Sequence, residues 1–214
     1  MKVIAFNGSP RKDWNTAELL KSALKGAASQ GAEVELVHLY DLNYKGCTSC
    51  FACKLKGGKS YGRCVLKDDL TPFFRKIETA DGILLGSPVY LGGATGEMRS
   101  FIERLVFPFF TYTDPPTSLF PGKARVGIIY AFGATEEMAA QRGWDRSLSD
   151  IGAFLQRVLG PAETLQVYDT LQFDDYSKYV APRFDPAAKA LRRKNVFPQD
   201  CRKAFEMGVR LVQP

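Results

Sequence analysis

Apolar residues recur along this chain with two alternating periods, and the alternation lays out strands and helices in turn. Val3-Ile4-Ala5-Phe6 is a short continuous run that reads as a buried strand. After the turn Asn7-Gly8-Ser9-Pro10-Arg11 the spacing changes. From a start at Asn15-Thr16, Leu19, Leu20, Ala23, Leu24 and Ala27 recur three and four residues apart on one helical face, and Gly31 marks the stop. Glu33 to Leu39 alternates with period two, a second strand. Asp68-Asp69 caps a helix over about residues 70–78. Gly82-Ile83-Leu84-Leu85-Gly86 is a continuous apolar run, expected of a central parallel strand buried on both faces. A helix over roughly 96–105 places Met98, Phe101, Ile102 and Leu105 together. Two more strands cover residues 125–131 and about 163–168, and the helix between them, about 144–159, is stopped by Gly160-Pro161. Two short helical patterns, about 186–194 and 199–211, follow.

Strands separated by helices imply right-handed crossovers and a parallel sheet covered on both faces. Five strands with glycine-bearing loops after the first, third and fourth fit a doubly wound α/β sheet of order 2-1-3-4-5. In that order strands one and three flank the switch point where ligands bind. The turn at 7–16 and the loop at 87–93 then face one crevice. Residues 1–172 are expected to form this domain, and 173–214 a C-terminal helical extension packed on the same domain or on a partner subunit. Residues 106–123 are an aromatic, proline-rich connection (Phe107, Phe109, Phe110, Tyr112, Phe120), too long for an ordinary turn. Together with the aromatic start of the extension it carries more large apolar groups than a monomer's surface exposes, which predicts a homodimer or tetramer.

Composition narrows the picture. With 45% hydrophobic residues among 214, the chain can build one sizeable core. No apolar stretch approaches the roughly 18 residues of a membrane span. The first strand starts at residue 3, with no signal peptide before it, so a cytoplasmic protein that does not engage a membrane is expected. The net charge of +6 is uneven, since residues 173–214 hold nine Lys/Arg against five Asp/Glu. The remainder is close to neutral. Arg192-Arg193-Lys194 is too short for a nucleic-acid face and reads as a solvated helix face.

The chemistry concentrates in two places. At residues 7–16 a strand runs through a turn into a helix N-terminus, whose unpaired N–H groups and positive dipole end favour an anion. Ser9 and Thr16 add hydroxyls, Asn15 an amide and Arg11 a permanent cation, a set suited to a phosphate monoester. The plain alternative is an ordinary βα turn capped by Asn15 or Thr16. The dinucleotide fingerprint fails, because only Gly8 of its three glycines is present, and Gly58-Lys59-Ser60 lacks the rest of a P-loop. His38, the single histidine, rules out histidine-based triads and reads as structural. The second place is the cysteine segment. Four of the five cysteines, Cys47, Cys50, Cys53 and Cys64, fall within eighteen residues.

Gly8-Ser9-Pro10-Arg11 with Asn15-Thr16, then Gly86-Ser87-Pro88-Val89-Tyr90 ahead of a helix ending Phe101-Ile102-Glu103-Arg104, resembles the NAD(P)H-dependent FMN reductase family. Gly46-Cys47-Thr48-Ser49-Cys50-Phe51-Ala52-Cys53, with Gly62-Arg63-Cys64 and Asp68-Asp69, resembles the iron–sulfur flavoprotein branch of that family. The resemblance covers about residues 2–133. It implies a flavodoxin-like fold, FMN as cofactor and NAD(P)H as co-substrate. It places Ser9, Arg11, Asn15 and Thr16 at the FMN phosphate, and Pro88, Val89, Tyr90, Leu91 and Gly92 along the isoalloxazine. No side chain is expected to act as catalytic acid or base, because the flavin carries the chemistry.

Cys-x2-Cys-x2-Cys puts three thiolates on one loop, as a [4Fe–4S] cluster needs, with Cys64 available as a fourth ligand. A structural zinc usually takes two separated pairs. The ten residues between Cys53 and Cys64 exceed the iron–sulfur flavoproteins' compact spacing, so thiols retained without a cluster are expected. The functional expectation is an FMN-dependent oxidoreductase passing hydride or electrons from NAD(P)H to a quinone, flavin or similar small acceptor. The alternative is an iron–sulfur flavoprotein carrying electrons between redox proteins, with Cys47, Cys50, Cys53 and Cys64 as cluster ligands. A flavodoxin-type carrier is disfavoured by the near-neutral body, the basic tail and the cysteine segment.

Overall fold

The computed structural model describes residues 1–213. Strands β1 (Lys2–Asn7) and β3 (Gly82–Tyr90) lie side by side at the centre of the sheet, buried over most of their lengths because helices cover both faces. Parallel strands β2 (Glu33–His38), β5 (Arg125–Ala131) and β6 (Ala162–Val167) complete the order β2-β1-β3-β5-β6. This is the expected 2-1-3-4-5 winding. The sheet has six strands rather than five, because β4 (Gly93–Ala94) returns antiparallel on the end of β3. β3 also runs four residues beyond its expected end at Gly86, since Ser87 and Pro88 still find partners in Tyr130 and Ala131.

One face of the sheet is covered by α2 (Thr71–Ile77), α3 (Gly96–Val106) and α5 (Trp144–Leu159). The short α4 (Glu136–Gln141) precedes α5 and had no apolar period to announce it, with Ala139 its one buried residue. The other face is covered by α1 (Asn15–Ser29) and α7 (Phe197–Leu211). α6 (Pro186–Asn195) leads into α7. Ala204, Met207 and Leu211 pack into the same cluster as Val3, Ala5, Leu19 and Leu20, so the extension after residue 172 returns to the sheet. Glycine explains how closely α1 and α7 approach. A Cβ at Gly208 would collide with the Ala23 carbonyl, and one at Gly26 with the Phe205 carbonyl. A mid-helix glycine costs about 1 kcal/mol relative to alanine, and here close backbone packing is its reason.

The aromatic connection folds back on its own subunit in part. Phe109 is buried, and Phe110 and Phe120 pack against the core, while Tyr112 remains exposed. Lys54 pins the segment down by donating to the carbonyls of Phe107, Pro108 and Phe110 at the C-terminal end of α3, where a cation is favoured. The aromatics of the tail pack on one another, Phe173 stacking on Tyr179 at 4.1 Å. Among the described residues no helix is long and apolar enough to cross a membrane.

Candidate functional site

Asn7, buried at the end of β1, shapes the first loop. Its Oδ1 accepts from the Ser9 N–H at 3.0 Å, and its Nδ2 lies 3.0 Å from His38 Nδ1. Burial holds the His38 imidazole below its usual pKa, so the neutral ring accepts that bond. Ser9 Oγ in turn accepts from the Arg11 N–H at 3.1 Å. Gly8 ties the loop to β3 and to the start of α3: its N–H donates to the Gly86 carbonyl at 2.8 Å, and Thr95 Oγ1 donates to its carbonyl at 2.7 Å. Thr95 also caps α3, accepting from the Met98 N–H at 3.3 Å. A Cβ at Gly8 would press on Met98, which reserves the position for glycine.

Helix α1 starts at Asn15 with no side-chain cap. Trp14 sits in the cap position, so neither Asn15 nor Thr16 caps the turn as the ordinary βα reading had it. The free N–H groups of this first turn, with buried Ser9, Asn15 and Thr16 and with Arg11, border a small cleft of about 80 Å³. Pro88, Val89 and Tyr90 form its opposite side, and Gly133 and Thr170–Gln172 close its end. A cavity of about 400 Å³ adjoins it, sharing Val89, Gly133 and Gln172 and extending to Trp144 and Phe184. The donor set fits a dianionic phosphate monoester: an uncapped helix dipole, two hydroxyls, an amide and a guanidinium around one opening.

Leu91 and Gly92 do not border this cleft. They form the two-residue turn between β3 and β4, both at positive φ (52° and 83°), as tight hairpin turns require. Leu91 points into solvent. Gly92 packs so tightly under Trp144 that a Cβ would strike the indole.

The C-terminal third supplies residues that the sequence reading passed over. The Leu171 carbonyl accepts from Trp14 Nε1 at 3.0 Å and from Asn15 Nδ2 at 2.8 Å, and the Gln172 carbonyl accepts from Arg11 Nη1 at 2.6 Å. On α6, Arg193 donates to Asn15 Oδ1 at 3.2 Å and pairs with Glu18 at 2.5 Å. Four residues earlier on the same helix face, Lys189 is buried, paired with Asp169 and donating to the Gly133 carbonyl at 2.8 Å. The run 192–194 is therefore not a solvated face. Arg192 pairs with Asp200 at 2.7 Å, and of the three residues Lys194 alone is exposed.

The cysteine segment lies apart from the cleft. Cys47 and Cys50 are exposed, Cys53 is buried and Cys64 is half-buried. The ten-residue spacer doubles back, with Gly62 N–H on the Cys53 carbonyl at 3.0 Å and Ser60 Oγ on the Ala52 carbonyl at 3.1 Å. Cys64 is thereby carried towards Cys53. Burial pushes the Cys53 thiol up from its usual pKa; Lys54 opposes the shift, and Cys64 and Cys47 add to it. Among the described residues no three Cys, His, Asp or Glu side chains gather into a group able to hold a metal ion. Arg104 is buried beside Cys64; burial opposes its charge, but the bond to Asp68 and the neighbouring thiol outweigh that and raise its pKa.

The doubly wound parallel sheet, with a cleft between the ends of β1 and β3, defines a flavodoxin-like α/β protein. Its backbone matches that of the NAD(P)H:quinone oxidoreductase of Methanothermobacter marburgensis with a TM-score of 0.74, over 99% of this chain and 98% of that one. At 14% identity that likeness speaks for the fold alone. The sequence model of the NADPH-dependent FMN reductases matches residues 1–159, and the chain belongs to that family. An iron-sulfur flavoprotein of Archaeoglobus fulgidus is 36% identical over 143 residues, covering 65% of this chain and 59% of that protein. One of Methanocaldococcus jannaschii is 39% identical over 104 residues, covering 49% of this chain and 51% of its own. The chain thus spans between half and three-fifths of the length of these relatives.

Proposed function

We propose that the chain is an FMN-dependent oxidoreductase that takes hydride from NADH or NADPH and delivers electrons to a quinone, a free flavin or a similar small acceptor. The observation that carries this reading is the uncapped start of α1, opening with Ser9, Arg11, Asn15 and Thr16 onto the cleft at the β1/β3 switch point. Membership of the FMN reductase family supports it. FMN, when bound, supplies the hydride and electron chemistry. The chain's own residues bind and orient. Ser9, Arg11, Asn15 and Thr16 hold the phosphate, Pro88, Val89 and Tyr90 form the wall for the ring, and Leu91 and Gly92 set that wall's turn. The neighbouring cavity under Trp144 gives room beside the cleft for a planar group.

The test is a fluorescence titration of the full chain with FMN and with riboflavin, followed by an NAD(P)H oxidation assay over a panel of acceptors. FMN is expected to bind far more tightly than riboflavin, which lacks the phosphate. Equal affinities, or undiminished turnover by protein from which FMN has been stripped, would remove the reading.

The iron–sulfur alternative keeps two specific supports. The spacer that looked too long turns back on Cys53, and the sequence relatives carry the name iron-sulfur flavoprotein. Iron and acid-labile sulfide in protein purified without oxygen decide it. About four irons per chain, lost in Cys50→Ala with FMN retained, would favour the alternative. Their absence after anaerobic reconstitution would favour the oxidoreductase without a cluster. The unpaired thiols suit a reducing compartment such as the cytoplasm. Exposed Tyr112, Tyr179 and Val180 support a homodimer or tetramer.

A further inference from the structure

A cavity larger than the cleft lies elsewhere on the molecule. It measures about 700 Å³ and lies between the 59–67 loop, α2 and the start of the aromatic connection, sharing no lining residue with the cleft or with the cavity beside it. Helix α3 separates the two places. Thr95 at its start binds the Gly8 carbonyl, and Arg104, nine residues on and roughly 13 Å along the axis, lies at this cavity.

The walls are apolar and the rim is cationic. Phe74, Pro108 and Phe109 line the inside, while Lys59, Arg63, Lys67 and Arg75 surround it against a single carboxylate, Glu78. Glu78 lies 3.6 Å from Arg63, and Lys59, Lys67 and Arg75 have no ion-pair partner among the described residues. Beneath them Arg104 is 2% exposed. Its Nη atoms are engaged by Asp68 and by the Lys45 and Leu66 carbonyls, but its Nε has no hydrogen-bond partner. Several like charges around one concavity repel one another unless an anion sits among them. A buried guanidinium with a donor to spare points the same way. The volume lies within the range of small-molecule sites.

We propose that this cavity is a second ligand site, taking a small organic phosphate of nucleotide size, with its phosphates on the Lys59, Arg63, Lys67 and Arg75 rim and its planar body against Phe74 and Phe109. It is independent of the flavin cleft and does not rest on the FMN reading. No bond is made or broken in it. The ligand is held, and the site's role is to bind.

Calorimetric titration of the full chain, with saturating FMN present, tests it with ADP and with inorganic pyrophosphate as probes. ADP is expected to bind more tightly than pyrophosphate, and to weaken as salt rises from about 50 to 200 mM. The double variant Lys67→Glu/Arg75→Glu, both at exposed positions, is expected to weaken ADP about tenfold or more and to leave FMN affinity unchanged. Arg202→Glu/Lys203→Glu, on exposed positions of α7, makes the same change in net charge away from the cavity and is expected to leave ADP binding as it was. No ADP binding at millimolar concentration, equal affinity for the two probes, or equal weakening by the two double variants would each overturn the proposal.

Discussion

Arg11 holds three relationships at once. Its N–H is bound by Ser9 Oγ, its guanidinium donates to the Gln172 carbonyl at 2.6 Å, and it lies 5.3 Å over the Trp14 ring. The charge is therefore already oriented at the cleft before any anion arrives. Arg11→Ala is expected to weaken FMN by about 1.5–3 kcal/mol, the usual worth of a hydrogen bond to a charged group, with riboflavin affinity much less affected. A titration of both ligands against the variant checks it. His38 gives a pH signature of its own. Its folded pKa is depressed by burial, so the unfolded chain binds the proton more readily. The stability it contributes is full above the ordinary imidazole value of about 6.5 and is lost as pH falls through the lower folded value. Denaturant titrations at a series of pH values are expected to show this acid-side slope, and His38→Gln to flatten it.

Elements matter here through what they bring to each other. α6 grips the cleft at two points one turn apart, Lys189 on Gly133 and Arg193 on Asn15. Arg193→Gln is expected to release the Asn15 amide and lower FMN affinity by about 0.5–1.5 kcal/mol, again read by titration. The α1–α7 contact gives a second expectation. Gly208→Ala removes a poor helix former, yet it is expected to destabilise the fold by about 1–3 kcal/mol, because the added methyl meets the Ala23 carbonyl. A thermal melt decides the sign. These features also mark where reading the sequence stopped. β5 and α5 were bounded correctly, because their apolar periods are strong and their ends carry plain signals such as Gly160-Pro161. α4 has one buried residue and so no period to read. Arg193 looked solvated because Glu18 lies 175 positions away in sequence, and only the folded backbone shows the pairing.

The whole molecule is a cradle shared between its two ends. That Ser9, Arg11, Asn15 and Thr16 border one cleft was legible in advance because a strand, a turn and a helix start are contiguous in sequence. The Leu171 and Gln172 carbonyls that close around them could not be, since backbone acceptors carry no residue signature. At the surface, the apolar groups left uncovered are fewer than the aromatic content suggested, as Phe109 is buried and Phe173 is stacked on Tyr179. Tyr112, Val180 and Leu91 remain in solvent. Light scattering at micromolar concentration is expected to give a multiple of the 23.8 kDa chain mass, and the chain mass itself would count against the assembly.

The glycine contact between α1 and α7 also sets a timetable for synthesis. β1 and α1 leave the ribosome well before the helix that covers α1 and one face of the central strands. Until then Leu19, Leu20 and Ala23 have no partner from α7, and the nascent chain presents an apolar surface to its surroundings. The cleft proposed for the flavin waits too, since Leu171, Gln172 and Arg193 belong to the same later stretch. Until α7 is made, a growing chain thus offers this apolar surface to its surroundings, and the cleft lacks the groups that close it.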